Sequence, residues 1–328
     1  MINEKINLLI ENSNRLNEIE GFIKGRVYRI SAALSLTLEN KLANIEKINL
    51  AIEIIKRNTS VISYFRGDNL LITAINIAYE ENIEKSFKEL LYIYNSLKQF
   101  FINSKYLVFA SLIIFKTRNE VDVNSAIKNT RICYEYMNRN VILTNKSYIW
   151  MAAIIAITSQ NIKESVRECR ECYKTLKTLG FNLSSDVRGV AYTLSLINYE
   201  TDAKCYKVAK LYNSLNKNGV LVNGTFLPIL GIIAFITNNY DNLAKDSDIV
   251  CRELKKSKDF SGFSLGTRYI NAISVALVAS EYINFIEPEI ENIIFKFNSD
   301  IFLEVSLAIQ NSLVNLATAS FVVPLLNN

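Results

Sequence analysis

Histidine is absent from all 328 residues. That removes Ser-His-Asp and Cys-His nucleophilic systems, imidazole general bases and His-ligated metals. Glycine and proline are scarce, at 10 and 3 copies. Strands and tight hairpins need both as punctuation, so their scarcity favours long helices joined by short polar turns. Glycine-rich phosphate cradles are missing as well: GFSLGTR (262–268) is a poor imitation of one. The opening MINEKINLLIENSNRL lacks the basic flank, apolar core and small-residue cleavage site of a signal peptide. Five cysteines, an odd count without an export signal, predict reduced thiols in the cytoplasm. Two apolar runs bear on membranes. FLPILGIIAFI (226–236) is too short to span, and FLEVSLAIQNSLVNLATASFVV (302–323) carries Glu304, Gln310, Asn311 and Asn315. A buried terminal helix is expected there, not a membrane span.

What is present is patterned. Half the residues are hydrophobic, too many for a disordered chain. YNSL occurs twice, at Tyr94–Leu97 and Tyr212–Leu215. Tyr134, Tyr173, Tyr212 and Cys251 follow one another at steps of 39, and Tyr94 lies 40 before Tyr134. Around each, apolar residues recur at −11, −7, −4, 0 and +3, as in Ile83, Phe87, Leu90, Tyr94 and Leu97. Steps of four and three keep one stripe on one face of an α-helix. Lysine, glutamate, arginine and asparagine fill the other positions, so these helices are amphipathic.

Before each amphipathic helix lies a more apolar stretch centred on a small residue. Aligning Ala33, Ala74, Ser111, Ala153, Thr193, Gly231 and Ala272 gives steps of 41, 37, 42, 40, 38 and 41. A helix apolar on most sides must be packed on most sides, and a fixed small residue lets a neighbour approach. One hairpin cannot bury its first helix alone, so hairpins must stack. The expected fold is all-α: an α-solenoid or superhelical array of about seven hairpins with a period of about 40 residues, TPR- or HEAT-like. A single domain is expected over 1–328. In it a cap helix lies in 1–26, the hairpins in 27–298 and a closing cap in 299–328.

YKTLKTLGFNLSSDVRGVAYTLSLI (173–197) and YNSLKQFFINSKYLVFASLII (94–114) each pair Y-x-x-L with a following small-residue apolar helix. With the total length and the small-rich ending SLAIQNSLVNLATAS (306–320), they resemble a bacterial family designated domain of unknown function 4003. The likeness covers nearly the whole chain. It implies the fold and carries over no activity and no site residues.

Net charge is +5 but uneven, with residues 261–328 at −4 and the rest at +9. That balance tilts the chain toward an anionic partner. Four sets of residues are candidates for function. Cys169 and Cys172 form a C-x-x-C, a weak zinc or redox signal. The register puts Cys169 on the apolar stripe, and it puts Cys133 and Cys172 at equivalent positions, so inert buried thiols or a redox pair are the two readings. Tyr94, Tyr134, Tyr173 and Tyr212 either line a peptide or base groove or pack between helices with the hydroxyl reaching a turn. Arg29, Arg188 and Arg268 stand at the starts of first helices, where the dipole disfavours a cation. They either meet acidic neighbours or face a shared groove and bind a carboxylate or phosphate. Arg167, Arg170, Lys204, Lys207 and Lys210 form a modestly basic helical face, suited to nucleic-acid backbone but interleaved with Glu164, Glu168 and Glu171. The leading expectation is a non-enzymatic scaffold that binds a protein or peptide in a groove lined by successive helices, without metal or cofactor. The alternative is a HEAT-like nucleic-acid binder.

Overall fold

The computed structural model describes residues 2–19, 25–139, 148–159, 161–181, 185–222, 224–261 and 266–282. Among the described residues there are fourteen α-helices and no strand. After α1 (Ile2–Leu16) two kinds of helix alternate. The first kind comprises α2 (Arg26–Leu38), α4 (Leu70–Ile77), α6 (Lys105–Lys116), α8 (Ile149–Thr158), α10 (Ser185–Ser195), α12 (Leu230–Ile233) and α14 (Thr267–Tyr282). The second kind comprises α3 (Ile45–Asn58), α5 (Ile83–Lys98), α7 (Val123–Arg139), α9 (Ile162–Thr178), α11 (Thr201–Lys217) and α13 (Tyr240–Lys256). The closing helix expected in 299–328, and the second helix of the seventh hairpin, lie outside the described residues.

Helices of the first kind form the interior. Every residue of α6 from Leu107 to Phe115 is buried, and so is every residue of α8 from Ile149 to Ala156, Trp150 included. Ser104 before α6 makes no side-chain cap bond. Burial therefore holds this helix, at about 1.5–3 kcal/mol for each large aliphatic or aromatic side chain removed from water. All seven small residues of the sequence alignment are buried. Helices of the second kind bury one stripe: Phe87, Leu90 and Leu97 in α5, Val166, Cys169 and Leu176 in α9, Cys205, Val208 and Leu215 in α11.

Local chemistry sets the ends of the second helices. Side-chain oxygens of Asn44, Asn82, Asp122, Asn161, Glu200 and Asn239 each accept from a backbone N–H of the first helical turn. These residues follow one another at steps of 38, 40, 39, 39 and 39. The Asp122 carboxyl is held below its usual range by the Ser125 side chain and backbone. At their other ends α9 and α11 close alike. Gly180 and Gly219 take positive φ, and Phe181 N and Val220 N reach back to the carbonyls of Leu176 and Leu215 at 3.1 and 2.9 Å. Only glycine adopts that turn without a Cβ penalty. Because Asn82 Oδ1 accepts from Lys85 N at 2.9 Å, Asn82→Ala is expected to cost about 1 kcal/mol and Asn82→Gly a few tenths of that. Urea melts of the two variants check it; equal losses would mean that the side-chain cap is not what stabilises α5.

One element departs from expectation. The run ILGIIAFIT (229–237) was expected to form a full first helix, yet a 3₁₀ segment, Gly224–Ile229, leads into only four α-helical residues, Leu230–Ile233. Pro228 lies inside that segment. Its ring has no N–H to donate and clashes with the preceding turn of an α-helix, so the chain tightens there.

The chain divides into two compact units. One comprises residues 12–36 and 42–166, the other residues 1–11, 37–41 and 167–328. In the former, α3 lies beside α5 and α5 beside α7, while α6 lies beside α8. There α4 packs on α3, α6 on α5 and α8 on α7. In the latter, α11 lies beside α13, α10 packs on the 3₁₀ segment and α12, and α14 packs on α13. The start of α1 belongs to this second unit. Lys5 Nζ donates to Ser280 Oγ at 2.8 Å and pairs with Glu281 Oε1 at 3.1 Å.

Candidate functional site

The recurring tyrosines are packing residues with polar tips. Tyr94 is buried against Phe65, ring centroids 4.8 Å apart, and its hydroxyl donates to Asn103 Oδ1 in the following turn. Burial and then the nearby Tyr64 push its pKa up to about 12. Tyr134 meets Phe101 and Tyr212 meets Phe181, both at 5.2 Å. In each pair the phenylalanine comes from the connection that follows the preceding second helix, α5 for Tyr134 and α9 for Tyr212. Tyr173 is half-buried.

The three arginines differ in exposure. Arg29 is half-buried and donates from Nη1 to Asn17 Oδ1 at 2.5 Å. Arg188 is half-buried on α10, and Arg268 is exposed at the start of α14.

The basic face divides too. Arg167, Arg170 and Lys210 are exposed, and Lys207 donates to Asn238 Oδ1 at 2.6 Å. Lys204 departs from that face, because its side chain is only 1 % exposed. Its Nζ sits 2.8 Å from Glu168 Oε1 and donates to the Ile197 carbonyl at 3.0 Å. Glu168 also accepts from Thr201 Oγ1 at 2.7 Å and from the Cys172 thiol at 3.8 Å. Burial works to raise the Glu168 pKa. The Lys204 and Thr201 hydrogen bonds, the Lys204 charge and the Cys172 thiol outweigh it, so the carboxyl titrates below its usual range. This cluster joins α9 to α11 and is structural.

All five cysteines are buried, and none is in a disulfide. The Cys205 thiol bonded beside it, and then burial, push the Cys172 pKa up. Burial does the same for Cys133, whose Sγ lies 3.8 Å from Met137 Sδ. A thiol kept protonated is a poor nucleophile and a poor metal ligand. Among the described residues no group of three or more Cys, Asp or Glu is placed to hold a metal ion.

Two open grooves lie between successive second helices. In the unit containing α5 and α7, a groove of about 550 Å³ is lined by Lys85, Lys88, Glu89, Tyr92, Arg118 and Val123. Its floor is fixed by Arg118, whose guanidinium lies 2.5 Å from Glu80 Oε2 and 3.2 Å from Glu89 Oε2. The same group donates to the Phe115 carbonyl and stacks over the Phe115 ring at 3.9 Å. Tyr92 is 55 % exposed and donates to Asn124 Oδ1 at 2.9 Å. In the other unit a groove of about 380 Å³ between α11 and α13 is lined by Lys210, Asn213, Ser214, Lys217, Asn239 and Asp241. Its walls are tied by Ser214 Oγ to Asp241 Oδ1 at 2.5 Å; Thr175 and Asp202, each 39 residues earlier, make the same bond at 3.0 Å.

The model of the family described as "Protein of unknown function (DUF4003)" matches residues 14–312. The chain belongs to that family. No curated protein and no solved structure matches it. For this DUF4003 chain, geometry alone therefore selects a site. Sequence reasoning missed the groove residues Tyr92 and Arg118 because neither recurs at the period, and recurrence selected packing residues instead. The cap residues were missed although a signal was present: a polar side chain stands before each apolar-periodic run at steps of 38 to 40.

Proposed function

We propose that this chain is a non-enzymatic helical-repeat scaffold, a solenoid-like array of hairpins that holds a protein or peptide between successive second helices. The observation that carries this reading is the groove between α5 and α7. It has an exposed aromatic at Tyr92, flexible cations at Lys85 and Lys88, and a guanidinium at Arg118 held in place by two carboxylates. An aromatic face with a preorganised charge beside it is the usual make-up of a peptide-binding hot spot. Stacked hairpins present such grooves repeatedly, and a smaller groove lies between α11 and α13, farther along its second helix. The nucleic-acid alternative is less well supported, because Lys204 is buried and engaged with Glu168.

Selecting peptides from a displayed random library on the full chain tests the reading. Tyr92→Asp and Lys88→Glu are expected to weaken the selected peptide about tenfold each, measured by fluorescence anisotropy, while leaving the melting curve unchanged. Peptide affinity that ignores both variants would sink the proposal. Tight, steeply salt-dependent binding of duplex DNA that is lost on reversing Arg167, Arg170 and Lys210 would replace it with the alternative.

A further inference from the structure

The connection between α3 and α4 is built to hold apolar side chains in water. Val61 is 82 % exposed and Ile62 is 91 % exposed, with Tyr64 beside them at 42 %. The loop is nevertheless tied down. Phe65 is fully buried against Phe87 and Tyr94. Arg66 donates to the carbonyls of Lys56 and Thr59, closing the loop onto the end of α3. Turn bonds run from Ser63 N to Ser60 O and from Arg66 N to Ser63 O. The next such connection, between α5 and α6, abuts it, because Asn69 Nδ2 donates to the carbonyls of both Tyr64 and Lys105. That second loop exposes Ile102 at 68 % and Phe100 at 43 %.

Charge accompanies the apolar tips. Residues 56–66 and 98–105 contain Lys56, Arg57, Arg66, Lys98 and Lys105 and no acidic residue. Arg57 pairs with Glu84 at 2.9 Å and Asp68 lies near Lys105, which leaves Lys56 and Lys98 as the exposed cations beside the tips. Cations at helix ends complement the dipole, which accounts for Lys56, Arg57 and Lys98. It does not account for aliphatic side chains that an anchored loop keeps out of the core. The apolar residues stand on the turns themselves, and the groove between α5 and α7 is lined by other residues. Protruding tips match a flat apolar phase better than they match a peptide, which needs a concavity.

We propose that these two loops dock the protein on an anionic membrane surface. Val61, Ile62 and Ile102 enter the acyl boundary, Tyr64 and Phe100 sit at headgroup level, and Lys56 and Lys98 face lipid phosphates. Apolar insertion plus a basic cluster is the two-signal arrangement that stable peripheral binding requires. The contact is peripheral: among the described residues no helix is long and apolar enough to cross a membrane.

The test is co-sedimentation of the full chain with vesicles of phosphatidylcholine alone and of phosphatidylcholine with phosphatidylglycerol. Binding is expected to the mixed vesicles only, and to weaken as salt is raised. Ile62→Ser and Ile102→Ser are each expected to reduce it about tenfold with an unchanged melting curve, since both side chains are already in water. Ile62→Trp is expected to bind at least as well, with its added fluorescence quenched by brominated acyl chains. No binding to anionic vesicles overturns the proposal. So does binding that ignores both serine variants, which would be adsorption by charge alone. A dimer in sedimentation velocity that Ile62→Ser dissociates, with vesicle binding unaltered, would reassign the patch to a second copy of the chain.

Discussion

Gly231→Ala is expected to destabilise the protein by about 2–3 kcal/mol, although alanine is the better helix former. A Cβ at Gly231 would stand 1.9 Å from Thr193 Oγ1 and 3.2 Å from the Val190 carbonyl. Thr193 is fully buried, and its hydroxyl is engaged with the carbonyls of Val190 at 2.8 Å and Pro228 at 3.1 Å. To make room it must rotate away from both or push α10 off the 3₁₀ segment. Pro228 already packs over Gly189 on the same side, where an added Cβ would meet its ring at 2.4 Å. The loss from overpacking, together with a carbonyl left without its donor, outweighs the roughly 1 kcal/mol that alanine gains over glycine in a helix. Thr193→Ala in the Gly231→Ala background removes the obstructing oxygen but keeps a Cβ at 3.0 Å and leaves the Pro228 carbonyl without its donor, so it is expected to recover only the overpacking part of the loss. Urea denaturation reads both as shifts in midpoint at constant slope. A Gly231→Ala protein as stable as the parent would show that this close crossing is not tight.

Lys204→Ala is expected to cost about 2–4 kcal/mol. It strands Glu168 with only Thr201 and a thiol, and it leaves the Ile197 carbonyl without its donor. The figure is placed below the upper range for buried pairs because the Glu168 side chain is 30 % exposed and water reaches it. Lys204→Met keeps the apolar stem, and combined with Glu168→Gln it is expected to restore most of the stability, since neutral groups carry no desolvation penalty for a charge. The pH dependence has a definite sign. Glu168 titrates below its usual range in the folded chain. Its carboxylate therefore contributes stability that is fully present above the ordinary glutamate range and is lost as the pH falls through the lowered folded value. The advantage of the parent over Glu168→Gln should be largest at about pH 7 and shrink toward about pH 3. An advantage that stays constant over that interval would rule out the ion pair as its source.

Thr193 and Gly231 also show how far the sequence can be read. Both were aligned as members of one column of small residues, and in the structure they touch. Periodicity predicts which face of a helix is buried, because spacing of three and four residues is a local property of the chain. It does not say which side chain on the next helix a residue will meet. Lys204 illustrates the gap. It follows Thr201 by three and precedes Val208 by four, which is the spacing of the buried stripe itself, yet its charge placed it on the wet face. Its partner Glu168 lies 36 residues earlier, on another helix, and only packing brings the two together. Tyr92 and Tyr94 make the complementary point. They are two residues apart, so one faces the groove and the other the core, and the recurring one is the buried one. A binding surface that depends on which loops protrude, such as Ile62 above the anchored Phe65, leaves no periodic trace.

The bond between Lys5 and Ser280 joins residues separated by 275 positions. A ribosome releases the start of α1 long before it has made α14, so this piece of the chain waits for its partner while the intervening helices are made. While it waits, Ile6 and Leu9, both buried in the finished fold, remain available to water or to a chaperone. Completion of the unit that contains α14 is thereby coupled to the synthesis of α14 itself, whereas α3 to α8 need only partners that lie close to them along the chain.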